Sequence, residues 1–211
     1  MTKLIAVIAT AIAMLVLFAC SETPSTSAGN NSASAKANEA ASTAPVPAIA
    51  AYWKMYESAY KWAPDQVLLR LEPKDVSAFT TGGGKADIWE ATFASPSKHE
   101  CRQLLYAVTA HPPDIYKGVN VGHAIPWSGV TRDVMPIEKA QFTIDSDAAF
   151  NTATDDAAAW LKKNPDKKLS NFQLGNGYSF PAPVWYVMWG DKKAGHVAYV
   201  NATTGKVMKK K

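Results

Sequence analysis

The chain reads as an α+β protein with two tandem helix-plus-antiparallel-sheet units behind a leader and a disordered tether. Three observations predict it. Leu4 to Phe18 is an apolar run without a charge. Ser21 to about Pro47 is built from small and polar residues, with no aromatic, Leu or Ile. Beyond residue 48, two amphipathic helical stretches are each followed by strands whose apolar residues alternate.

The leader comes first. Lys3 supplies a positive n-region, and the run that follows is short of the roughly 20 apolar residues a transmembrane helix needs. Its basic flank and the small residue Ala19 fit a secretory signal peptide over 1–19. The ending Leu17-Phe18-Ala19-Cys20 resembles the lipobox of bacterial lipoproteins, although Phe18 stands where that family usually has a small residue. The resemblance implies cleavage before Cys20 and lipidation of Cys20 by acyl chains such as palmitate, with the membrane as a partner through that anchor. Several acyl chains together hold a protein durably, whereas one is marginal. Ser21, rather than the Asp that retains many Gram-negative lipoproteins at the inner membrane, implies the outer membrane, facing the periplasm.

Residues 20–47 cannot bury enough apolar surface to offset the entropy of ordering them, so a disordered tether is expected. Its root-mean-square span is about 30 Å. Losing residues 1–19 removes one Lys and no acid, so the formal charge of +4 falls to +3. Nucleic acid is not an expected partner, because clustered Lys and Arg on one face are missing. Lys209, Lys210 and Lys211 read as a solvated tail.

The folded region holds all seven Trp and all eight Tyr. Ala48 to Ala63 places Ile49, Tyr52, Trp53, Tyr56, Ala59, Tyr60 and Ala63 at helical spacing, and Pro64 stops it. Asp147 to Lys163 repeats the pattern with Phe150, Ala153, Ala157, Trp160 and Leu161, with Ser146 or Asp147 as cap and Asn164-Pro165 as stop. Strands are expected over Gln66 to Leu71 and Lys168 to Leu174, with Gly82-Gly83-Gly84 and Gly175-Asn176-Gly177 breaking the chain after them. Ala86 to Phe93 and Ala182 to Trp189 then alternate, placing Trp89, Ala91, Phe93 and Trp185, Val187, Trp189 on single faces. Strands over His99 to Val108 and Gly195 to Val200 close the two units, bounded as 48–137 and 138–211.

The ending Val197-Ala198-Tyr199-Val200-Asn201-Ala202-Thr203-Thr204-Gly205-Lys206-Val207 is similar to that of PepSY domains, with Asn201 where the family often has Asp. Ile144 to Ala149 and Trp185-Tyr186-Val187 fit the same module. The likeness covers about 140–211 and reaches 48–130 only through the repeat. It implies PepSY-like, cystatin-like units in the cell envelope, in a family that includes pro-domains and peptidase regulators and is generally non-catalytic.

No catalytic, cofactor-binding or metal-binding residue is assigned. Cys101 is the one thiol left after lipidation and is expected to be buried. His99, expected on the same strand face, could serve it as a base. His99, Cys101, His111, His123 and His196 lack zinc-ligand spacing. Thr81 to Ala86 lacks the Lys-Ser/Thr pair of a phosphate loop. Asp145, Asp147, Asp155 and Asp156 suit a helix N-terminus better than a calcium loop. Ser128, His123 and Asp133 can be written as a triad, in loops between the units, but without a nucleophile elbow.

The expectation is therefore a membrane-anchored envelope lipoprotein that is not an enzyme. It binds a peptide or protein partner, a peptidase among the candidates, and needs no cofactor. The rivals are a hydrolase or metal-handling protein using the His-containing loops, and a structural spacer.

Overall fold

The computed structural model describes residues 43–209. The leader, Cys20 and most of the expected tether lie outside them. The elements are α1 (Ala48–Trp62), β1 (Val67–Pro73), α2 (Val76–Thr81), β2 (Ile88–Ser95), β3 (Glu100–Ala107), β4 (Gly118–Pro126), a 3-10 turn (Lys139–Gln141), α3 (Ser146–Lys163), β5 (Leu169–Gly175), β6 (Val184–Trp189), β7 (His196–Asn201) and β8 (Val207–Met208).

All eight strands join one antiparallel sheet in the order β4-β3-β2-β1-β5-β6-β7-β8. This corrects the expectation of two tandem units. β1 and β5, each an edge strand had the halves folded apart, pair with one another at Arg70↔Gly175 and Leu71↔Leu174. The pairing removes two exposed edges, which sheet proteins otherwise have to protect. One continuous core results, and residues 48–137 and 138–211 do not bound separate bodies. The protein is mostly sheet, with its helices on one face.

The alternation does place side chains as it should. Trp89, Ala91, Phe93, Trp185 and Val187 are fully buried beneath the helices. The indole of Trp89 donates to the Val46 carbonyl at 2.9 Å, and that of Trp185 to the Ile144 carbonyl at 2.9 Å. Each carbonyl lies two residues before a helix start, so each buried indole nitrogen is satisfied at the point where the chain turns onto the sheet. Val46 also pairs with Ala86, so the folded body begins within the stretch expected as tether.

α2 was not expected. It is six residues long, and its start is held by Asp75, whose carboxylate accepts from the Ser77 amide at 2.8 Å. It brings Phe79 into the core, with ring centroids 4.3 Å from Phe172, 5.5 Å from Phe150 and 5.8 Å from Trp89. A helix from the first half thus roofs a strand of the second.

The starts of α1 and α3 meet. The hydroxyl of Ser146, fully buried, accepts from the Ala48 amide at 3.0 Å and donates to the Gly84 carbonyl at 2.6 Å. Asp145 Oδ1 accepts from the Ile49 amide at 3.0 Å and from the Ser146 amide at 2.7 Å. α1 has no side-chain cap of its own at Pro47, so its first amides are satisfied from α3. Gly84 has φ +88°, and a Cβ there would sit 2.5 Å from the Asp147 Cα. Only glycine allows this approach.

Two outcomes follow from these contacts. Ser146→Ala leaves a buried amide and carbonyl without partners and is expected to cost about 1–3 kcal/mol in urea unfolding. The second concerns Asp65, which holds the β2–β3 turn by accepting from the Ser97 amide at 2.7 Å and the Ser95 hydroxyl at 2.8 Å. These bonds, the Ser97 amide foremost, hold its carboxyl below the usual range. A lowered folded value means stability present above the ordinary carboxylate pKa and lost as pH falls through the lowered one. Asp65→Asn is therefore expected to lower the urea midpoint at neutral pH, the difference from wild type closing in strong acid.

Candidate functional site: the β4 edge and the helix-free face

Among the described residues β4 pairs along one side only, with β3. Its other side is a nine-residue strand edge, whereas the opposite end of the sheet is closed by the two-residue β8. Val121 and Ile125 are 52% and 55% exposed along β4. A register shift between Arg102 and Leu104 bends the pair where Gly122 lies, and a Cβ on Gly122 would come within 2.8 Å of the Gln103 carbonyl. Asn120 fixes the lead-in, accepting from the Tyr116 amide at 3.0 Å and donating to its carbonyl at 2.7 Å. His123, expected in a loop, stands exposed in this strand.

The connector after β4 runs onto the helix-free face of the sheet. Trp127 and Val134 pack on Leu69, Ala94 and Cys101. The connector then joins the β5–β6 loop: Met135 donates to the Asn176 carbonyl at 3.0 Å, and Tyr178 to the Arg132 carbonyl at 2.8 Å. Cys101 is buried here, and burial pushes its thiol pKa up. His99 is not on the Cys101 strand. It occupies the β2–β3 turn with φ +53°, so the expected shared face does not exist. Between the connector and β5–β7 lies a cleft of about 220 Å³. Gln173, Tyr186 and Tyr199 line it in register across three strands, and Arg132 stands over the Tyr178 ring at 5.4 Å beside it.

The other expected residues are dispersed. His111 Nε2 contacts Asp87 Oδ2 and lies 3.3 Å from the Thr109 hydroxyl, which itself donates to Asp87 Oδ2 at 2.7 Å. Carboxylate and hydroxyl therefore meet at the same ring nitrogen, and the imidazole does not stand between them as a relay requires. No hydrogen bond or ion pair joins Ser128, His123 and Asp133 among the described residues. His196 Nε2 lies 3.3 Å from Asp156 Oδ2. Among the described residues no group of three or more His, Cys, Asp or Glu could hold a metal ion. Thr81 to Ala86 is the turn leaving α2, with a strand after it. Asp147 accepts from the Ala148 amide at 2.8 Å at the α3 start. Asn201 accepts from the Thr203 and Thr204 amides, each at 2.8 Å, and so fixes the β7–β8 turn.

One charged group escaped the sequence. Glu72 and Glu90 are cross-strand partners, with Arg70 3.8 Å from the first and Lys74 2.8 Å from the second. Burial, and secondarily Glu90, raises the Glu72 pKa. The β1–β2 register is what brings the two together, and no local motif encodes it.

No family model matches the chain, and no curated protein matches it. The PepSY likeness expected from the sequence is not shown by these comparisons. A solved structure from Clostridium difficile 630, a protein with the provisional designation of lipoprotein, is similar at a TM-score of 0.47 and 9% identity, over 79% of this chain and 91% of that one. Among the described residues no helix is long and apolar enough to cross a membrane.

A raised folded pKa means that ionised Glu72 costs stability at neutral pH, and that this cost disappears as pH falls through the folded value. Glu72→Gln is expected to melt above wild type at pH 7, with the gain shrinking towards pH 4, by calorimetry across that range.

Proposed function

We propose that the protein is a lipid-anchored cell-envelope lipoprotein that binds a peptide or protein partner without catalysing a reaction, by adding a strand of that partner to β4. The free β4 edge carries the reading. Strand addition uses backbone hydrogen bonds for affinity and alternate side chains for specificity. β4 offers nine residues for the first and the exposed Val121 and Ile125 for the second. The leader and Cys20 support anchoring. Ser21 supports the outer membrane. Peptidases are the partner class that the PepSY likeness suggests.

The hydrolase and metal-handling readings are weaker, because Asp87 and Thr109 converge on one nitrogen of His111. A spacer would have no use for a long open edge, which is a liability unless it is covered.

The full chain, used as bait in envelope extracts, tests the reading against Val121→Lys with Ile125→Lys. Charges on an edge strand oppose further pairing, and both side chains are exposed, so the fold should tolerate them. Capture of the partner is expected to fall about tenfold, the factor that about 1.4 kcal/mol represents, and to survive His111→Ala. A partner kept by the edge variant, or lost with His111→Ala, contradicts it. For the anchor, Cys20→Ser is expected to move the protein out of the membrane fraction. A soluble wild type with no acyl mass at its N-terminus contradicts lipidation.

A further inference from the structure

We propose that the groove between α2, α3 and the start of β5 binds a single-chain anionic amphiphile, with its tail inside and its head at Lys168. The groove follows from how the sheet is roofed. α3 packs over β6, β7 and β8, while β5 is covered from the first half by α2, which is only six residues long. Between the two helices a space of about 500 Å³ is left open. Sites for small ligands typically enclose about 300–1,000 Å³.

The lining is apolar where a tail would lie. Phe150 and Leu161 of α3 form one wall, and Leu169 and Trp189 line the sheet side. Three of the four hydroxyls around them are engaged, that of Thr80 at the rim being the exception. Thr154 donates to the Phe150 carbonyl at 2.7 Å, Thr81 to the Ala78 carbonyl at 2.9 Å, and Ser77 to the Asp75 carboxylate at 2.6 Å. The walls are predominantly apolar, with the lysines at one end, so the interior suits hydrocarbon.

The charge at the groove has one sign. No acidic residue lines it, and two lysines do. Lys167 is 3.3 Å from Asp191, in an exposed pair. Lys168 has no ion-pair partner among the described residues. Its backbone is fixed, since its carbonyl accepts from the Gly190 amide at 2.9 Å. A cation beside an apolar groove matches a carboxylate or phosphate head on an alkyl chain. The site is separate from β4 and independent of strand addition there.

Calorimetric titration of the full chain carrying Cys20→Ser, which cannot be acylated, tests this with three probes sharing one tail: dodecanoate, dodecyl phosphate and dodecanol. Dodecanoate is expected to bind one to one. Dodecyl phosphate is expected to bind as dodecanoate does, because the groove offers a lysine to either anion. Lys168→Ala is expected to weaken both anions about threefold, as an exposed charge pair would. Thr154→Phe, filling the groove, is expected to weaken them more than tenfold with the circular dichroism unchanged. Absence of saturable binding, dodecanol binding as tightly as dodecanoate, or undiminished affinity in Thr154→Phe overturns the proposal. Should Thr154→Phe fail to fold, Thr80→Phe from the opposite wall serves in its place.

Discussion

Two helices begin at one place, and Ser146 and Asp145 make that possible. A helix start carries about half a positive charge and several amides without intrahelical partners. Setting two starts side by side would repel and leave buried donors. Instead, the Asp145 carboxylate accepts from the first turns of both helices, and the Ser146 hydroxyl links α1 to the Gly84 carbonyl. The joint ties three segments far apart in sequence: the start of α1, the turn after α2 and the start of α3. The β1–β5 pairing beneath it and Phe79 lodged against Phe172 complete the connection. The halves therefore share a core, and neither keeps a complete one alone.

A sheet built this way has two ends of unequal character. At one, β8 is two residues long and leads into lysine-rich chain. At the other, β4 is long, glycine-containing and, among the described residues, open. The asymmetry gives the molecule a direction: one end terminates pairing and the other invites it. The connector leaving β4 covers Cys101 and its apolar neighbours on the helix-free face, while Val121 and Ile125 stay exposed on the strand, as Val130 does on the connector.

Much of the core was legible because burial imposes a period. Trp89, Ala91 and Phe93, like Trp185, Val187 and Trp189, alternate, and the apolar spacing of α1 and α3 is helical, although Trp53 and Tyr60, expected on the buried face of α1, stand exposed. What was missed lacks a local signature. β4 contains two glycines and a proline and is half exposed, so no alternation betrays it; pairing with β3 holds it in place. α2 is rich in threonine, with only the Asp75 cap to announce it. The merging of two units into one sheet depends on a β1–β5 register of two residue pairs, which no window of sequence contains. The same reason hid the open edge and the Glu72–Glu90 pair. The histidines were visible as residues, but their separation was not.

Native-state hydrogen exchange tests the central claim that one joint and one sheet bind both halves into a single cooperative body. The slowest amides of β2 and of β6, on either side of the β1–β5 seam, should exchange with the same opening free energy, equal to that of global unfolding. Two distinct values, with the β6 half opening while β2 stays protected or the reverse, would show two units that merely touch and would contradict the account.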